Sequence, residues 1–148
     1  MRNYLNFFME KREVVCIAIV NENRELLVQK REQVSSKWGE EWSFFGGGIE
    51  EGETPELALK REAMEELWLD LNEKEFSPIW KTERYSGKVG KYYIRTLYLI
   101  KTTKKESDFV DQEAQGAYFK NFDEVTKLKF VTPIEQEIFI IKQAVWVQ

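Results

Sequence analysis

The chain has 148 residues, a formal charge of −4, and 43% hydrophobic against 32% charged residues. That length suits one domain, burying roughly 70% of the surface its unfolded form exposes, and no apolar stretch approaches the roughly 20 residues of a membrane helix. The acidic balance gives no general attraction to nucleic acid polymers. The single cysteine, Cys16 in the apolar run VVCIAIV, excludes an intrachain disulfide and reads as a buried structural thiol. With no histidine in the chain, Ser-His and Cys-His nucleophile pairs and histidine metal sites are excluded too, so acid–base or metal chemistry must rest mainly on carboxylates. The start, MRNYLNFFMEKRE, has no long apolar run and no small-residue cleavage site, so a cytoplasmic location is expected.

Glu13–Val20 and Glu25–Lys30 are rich in β-formers and flank the turn-like Asn21-Glu22-Asn23, which predicts two strands. Arg31 to Glu41 reads as a connecting loop. Glu41–Phe45 reads as a short strand that stops at Gly46-Gly47-Gly48. Thr54-Pro55 then opens a helix, with Thr as cap and Pro in the first turn, that runs to about Leu69. Phe76–Arg84 and Tyr92–Lys101 form a predicted hairpin around Ser86 to Gly90. Ala117–Lys120 adds a short strand. Thr132-Pro133 opens a second helix, whose Ile134, Ile138, Ile141 and Val145 recur at helical spacing and are expected to cover the sheet. This order predicts an α/β (α+β) layer architecture, a mixed sheet sandwiched by helices.

The first helix is crowded with acids. At about 100° per residue, Leu57, Met64, Trp68 and Leu71 fall in one arc, predicted to face the core. By the same count Glu62, Glu65 and Glu66 share a face roughly opposite. Like charges at that spacing repel by a few tenths of a kcal/mol per exposed pair, and by more in a cleft. A divalent cation reverses the sign. For the helix alone two readings stay open: acids turned to solvent, or oxygen ligands for Mg²⁺ or Mn²⁺. The unobstructed backbone of Gly46 to Gly48 and the tight loop from Gly52 into Thr54-Pro55 shift the balance toward the metal.

These residues resemble the signature of the Nudix hydrolase family, G-x5-E-x7-R-E-U-x-E-E-x-G-U, where U is apolar. The match begins at Gly47 and takes in Glu53, Arg61, Glu62, Ala63, Glu65, Glu66 and Leu69. Trp68 stands where the family usually has glycine, and its place on the apolar arc predicts that it fills core space. The strand order before the motif and the hairpin after it extend the resemblance to most of the chain. It implies a Nudix-type α/β/α sandwich with a mixed β-sheet, a single domain over 1–148, and Mg²⁺-dependent cleavage of the diphosphate linkage of a nucleoside diphosphate derivative. By the same resemblance Glu62, Glu65 and Glu66 hold the metal, with the Gly46 carbonyl as an additional ligand. Glu53 and Arg61 form a structural ion pair that fixes loop to helix.

The resemblance also implies a base that takes the proton of the attacking water, and without histidine that base is a glutamate. Glu113, in DQEAQGAYF, resembles a carboxylate that some members supply before a late strand; a solvated loop acid is the other reading. Arg31 resembles a position that often meets phosphate, although an exposed arginine at a strand end is the commoner use. Trp38, Trp42, Trp80, Tyr92 and Tyr93 offer faces on which a nucleobase can stack, or pack within the sheet. Nucleoside triphosphates, nucleotide sugars, ADP-ribose and dinucleoside polyphosphates are not separated by any motif. A nucleotide-sensing module of the same fold without turnover is the main alternative, weighed against by the intact carboxylates. An interaction domain with an acidic face is a third, and predicts no specific divalent-cation site. Tyr4, Phe7 and Phe8 suit either a homodimer contact or packing back onto the chain's own sheet.

Overall fold

The computed structural model describes residues 11–31, 41–72, 75–86, 90–109, 116–130 and 133–146. Glu113, Trp38, Thr132, the aromatic start and residues 32–40 of the connecting loop lie outside the described residues. Strands β1 (Lys11–Val20), β2 (Leu26–Lys30), β3 (Trp42–Ser43) and β4 (Phe45–Gly48) precede helix α1 (Pro55–Leu67). Strands β5 (Phe76–Ser86) and β6 (Lys91–Lys101) follow, then β7 (Ala117–Lys120), α2 (Phe122–Lys127) and α3 (Glu135–Trp146).

The sheet runs β3-β2-β1-β6-β5, with β4 also on β1 and β7 also on β2. β1 and β6 are parallel from Lys11 and Tyr92 to Val20 and Lys101, and the other strand pairs are antiparallel, so the sheet is mixed as expected. Alternation along β1 builds the layers. Val15, Ile17 and Ile19 enter the core under α1, while Cys16, Ala18 and Val20 enter the core under α2 and α3. A strand buried on both faces reads as a continuous apolar run, and VVCIAIV is that run. Each fully buried Leu, Ile or Val in these layers contributes about 1.5–3 kcal/mol, which makes the two cores the main reason the sandwich holds together.

Three expectations need correction. The glycine triplet does not end a strand: Gly46, Gly47 and Gly48 pair with Cys16, Val15 and Val14, continuing β4. Gly46 is held at φ 139°, and a Cβ there would stand 2.1 Å from the Val15 carbonyl oxygen, so only glycine fits this close approach. Second, the apolar arc of α1 is not its buried face. Leu57, Met64 and Trp68 are 53%, 43% and 68% exposed, and only Leu71 of the four enters the core. The buried face is Ala58, Leu59, Glu62, Ala63, Glu66 and Leu67. A helix lying close to a glycine-lined strand takes small residues there, and two alanines let its carboxylates reach the strand.

The third correction concerns α2, which was not anticipated. Its signal was present in Asn121 and Glu124: the Asn121 side chain accepts from Glu124 N–H at 2.8 Å, and the Glu124 side chain accepts from Asn121 N–H at 3.3 Å. The start of α1 follows the local chemistry of its sequence, with Thr54 Oγ1 accepting from Leu57 N–H at 3.2 Å and Pro55 at the first position.

Candidate active site

β4 and α1 together build the site. Gly46 N–H donates to Glu66 Oε1 at 3.1 Å. One residue on, a Cβ at Gly47 would stand 2.3 Å from Glu62 Oε1, so the missing side chain is what admits the Glu62 carboxylate. Glu62 and Glu66, one helical turn apart, are 9% and 3% exposed. Two carboxylates are thus held against the glycine strand out of bulk water.

Arg61 compensates part of this charge. Its Nε donates to Glu53 Oε2 at 2.7 Å and its Nη2 to Glu53 Oε1 at 2.8 Å, a bidentate fork. Nη2 also donates to the Gly48 carbonyl at 2.9 Å, which ties the loop and α1 to β4. Nη1 donates to Glu62 Oε1 at 2.9 Å and to Glu65 Oε2 at 3.4 Å. Hydrogen bonds from Arg61, then from Glu50 N–H, pull the Glu53 carboxyl down to about 2. The same pairing with Glu53 pushes the Arg61 guanidinium above its ordinary value.

Glu62 and Glu66 therefore meet at the glycine strand, whereas Glu65, half exposed, turns outward to Arg61. Among the described residues no set of three or more His, Cys, Asp or Glu side chains is arranged to hold a metal ion. The donors at the strand still fit a hard cation. They are oxygens without nitrogen or sulfur, and Mg²⁺ is usually held by one or two carboxylates together with waters and substrate phosphates.

Arg31 is exposed just after β2, with its backbone N–H donating to the Glu41 carbonyl at 2.9 Å. Among the aromatics, Trp80 packs against the core beneath α3, and Trp42 meets Tyr118 edge-on at 5.9 Å. Tyr92 donates from its hydroxyl to Glu83 Oε2 at 2.6 Å. Trp68, outside the core, closes α1 from the left-handed region at φ 53° and ψ 33°. Its N–H donates to the Met64 carbonyl at 3.0 Å, and Leu69 N–H to the Ala63 carbonyl at 3.1 Å. The position calls for the backbone freedom of glycine, and a tryptophan fills it.

Sequence reasoning missed four charged residues on the opposite face of the sheet. Glu137, 1% exposed, lies 3.2 Å from Arg84 Nη2 and 3.6 Å from Arg95 Nη1 through Oε1, and neither contact is a hydrogen bond for that atom. Its other oxygen accepts from Arg84 Nη2 at 3.4 Å. Arg95 Nη2 also donates to Cys16 Sγ at 3.1 Å, while burial pushes the Cys16 thiol up. The fourth residue is Arg12, against Gly48. Glu137 left a readable signal, an acid on the Ile134-Ile138-Ile141 stripe.

A model of the NUDIX domain matches residues 9–141. The chain belongs to the Nudix family. Nudix proteins are in general pyrophosphohydrolases, and they typically use Mg²⁺. The chain is 35% identical over 99 residues to nucleoside triphosphatase NudI of Escherichia coli, a span covering 62% of this chain and 67% of that protein. Its fold matches the MutT protein of Methanosarcina mazei with a TM-score of 0.73 at 14% identity, covering 94% of this chain and 98% of that one. The NUDIX domain of Shewanella oneidensis NrtR, solved in complex with ADP ribose, matches with a TM-score of 0.75 at 14% identity and 97% coverage of both chains.

Proposed function

We propose that this Nudix chain is a Mg²⁺-dependent hydrolase that cleaves the diphosphate linkage of a nucleoside diphosphate derivative by attack of water at phosphorus. The observation that carries the reading is the pair of buried carboxylates, Glu62 and Glu66, set against the backbone of Gly46 and Gly47. Arg61 is shared among Glu50, Glu53, Glu62 and Glu65, so one guanidinium faces four carboxylates and the site stays net negative. A divalent cation at Glu62 and Glu66, with Glu65 and the Gly46 carbonyl as further candidate ligands, would offset that charge and supply Lewis-acid polarisation of phosphate oxygens.

The chain's own groups do the remaining work. Gly46 N–H and Arg61 fix the directions of Glu66 and Glu62, and the Arg61–Glu53 fork with the Gly48 carbonyl keeps the loop registered on α1. A glutamate, on α1 or Glu113, takes the proton of the attacking water. Among substrate classes the similarity to nucleoside triphosphatase NudI favours nucleoside triphosphates.

Glu66→Gln is the decisive variant, because it keeps an oxygen for Gly46 N–H while removing the charge. Mg²⁺-dependent turnover, followed by mass analysis of products over a panel of nucleoside triphosphates and diphosphate derivatives, is expected to fall about 100-fold or more at unchanged thermal midpoint. Undiminished turnover would remove the proposal. Nucleotide binding without turnover by the wild-type protein would instead support a sensing module.

A further inference from the structure

The sheet face turned toward α3 carries positive charge beside the glycine strand that the proposed hydrolysis leaves unused. Register sets Arg12 of β1 beside Tyr93 of β6 and Tyr93 beside Arg84 of β5, while Val14 stands beside Arg95. Side chains alternate along a strand, so these residues share the face that holds Cys16 and Leu97. Glu13 and Glu83 of the same strands fall on the other face. Glu137 is the acid that meets the arginines, and Arg84 and Arg95 pair with it. Arg12 is exposed and makes no hydrogen bond or ion pair with any described residue.

The Arg12 guanidinium lies against Gly48, where an added Cβ would stand 2.9 Å from Nη2 and 3.1 Å from Nε. Gly47, the preceding residue, faces Glu62 on the other side of the strand. Consecutive strand residues present opposite faces, so this guanidinium, without a partner among the described residues, and the Glu62 carboxylate sit across one strand's thickness. Among the described residues, β4 has β1 on one edge and no strand on the other. A ligand anchored by Glu62 and Glu66 would have to pass along that edge to meet the guanidinium.

We propose that Arg12 binds a phosphate group of the substrate on the α3 side of β4, adding an anion subsite to the carboxylate site. This rests on the reading of the chain as a nucleotide hydrolase. A planar fork that is always charged suits phosphate oxygens, and nothing among the described residues competes for it.

The test titrates inorganic diphosphate with Mg²⁺ into the wild-type protein, Arg12→Met and Arg12→Lys by calorimetry, alongside kinetics on any nucleotide the wild type cleaves. Arg12→Met is expected to weaken diphosphate about tenfold and raise KM similarly at near-constant kcat, with Arg12→Lys in between because it keeps charge without the fork. Equal affinity of wild type and Arg12→Met overturns the proposal, as does a wild type that does not bind diphosphate. Weaker binding that comes with a lowered thermal midpoint and unchanged salt dependence assigns Arg12 to packing on Gly48, which also overturns it. If no nucleotide is cleaved but Arg12→Met still loses diphosphate, the hydrolase reading falls and the anion subsite stands. If Glu66→Gln abolishes turnover while Arg12→Met behaves as wild type, the subsite alone falls.

Discussion

Arg61 decides how Glu53, Glu62 and Glu65 tolerate one another. Repulsion among the acids is visible in the sequence, and so is the arginine between them, but the direction in which each carboxylate turns is not. The structure sends Glu65 outward and Glu62 inward, because Gly47 leaves room for one carboxylate and the guanidinium spans the others. The Glu53 fork has a pH signature. Its carboxyl is lowered from 4.5 in the unfolded chain to about 2, so the contribution is full above about 4.5 and is lost as pH falls toward 2. Urea unfolding midpoints of wild type and Glu53→Gln, measured from pH 7 downward, should differ most at neutral pH and converge near pH 2. A difference that grows on acidification would contradict the assignment.

Helix α1 illustrates how an element can be located correctly and oriented wrongly. Thr54, Pro55 and the turn before them fix its start through local hydrogen bonding, which a sequence displays directly. Its buried face follows from what it packs against, and a strand of glycines accepts Ala58, Ala63 and two glutamates where hydrophobicity alone favours Leu57, Met64 and Trp68. The end of the helix keeps a conformational cost. Trp68 sits in the left-handed region with 68% of its surface exposed, so little packing opposes its replacement. Trp68→Gly should raise stability by about 1 kcal/mol, the left-handed penalty of a residue with a Cβ, less the extra freedom glycine gives the unfolded chain. At this chain length that is a rise of about 2–4 °C in thermal midpoint, read by calorimetry. A fall would show that the indole contributes more than its exposure suggests.

Across the whole molecule, α3 is joined to the sheet by apolar packing and by the buried Glu137 between Arg84 and Arg95. Removing the acid leaves two guanidiniums facing a dry core, but both retain some contact with water, at 31% and 20% exposure. Glu137→Ala should therefore cost about 3 kcal/mol, near the low end for breaking a buried ion pair, measured by denaturant unfolding. A loss under about 1 kcal/mol would place the pair among surface salt bridges. The sequence by itself determined most of the strands, the start of α1 and the chemical vocabulary, since β-formers, caps and a carboxylate-rich motif without histidine act through neighbours in the chain. Only the tertiary structure decided which face of α1 is buried, that the glycines belong to a strand, and that Arg12 reaches Gly48 and Glu137 reaches Arg84. Those contacts join residues far apart in the chain, and strand register and layer packing, which no local propensity encodes, bring them together.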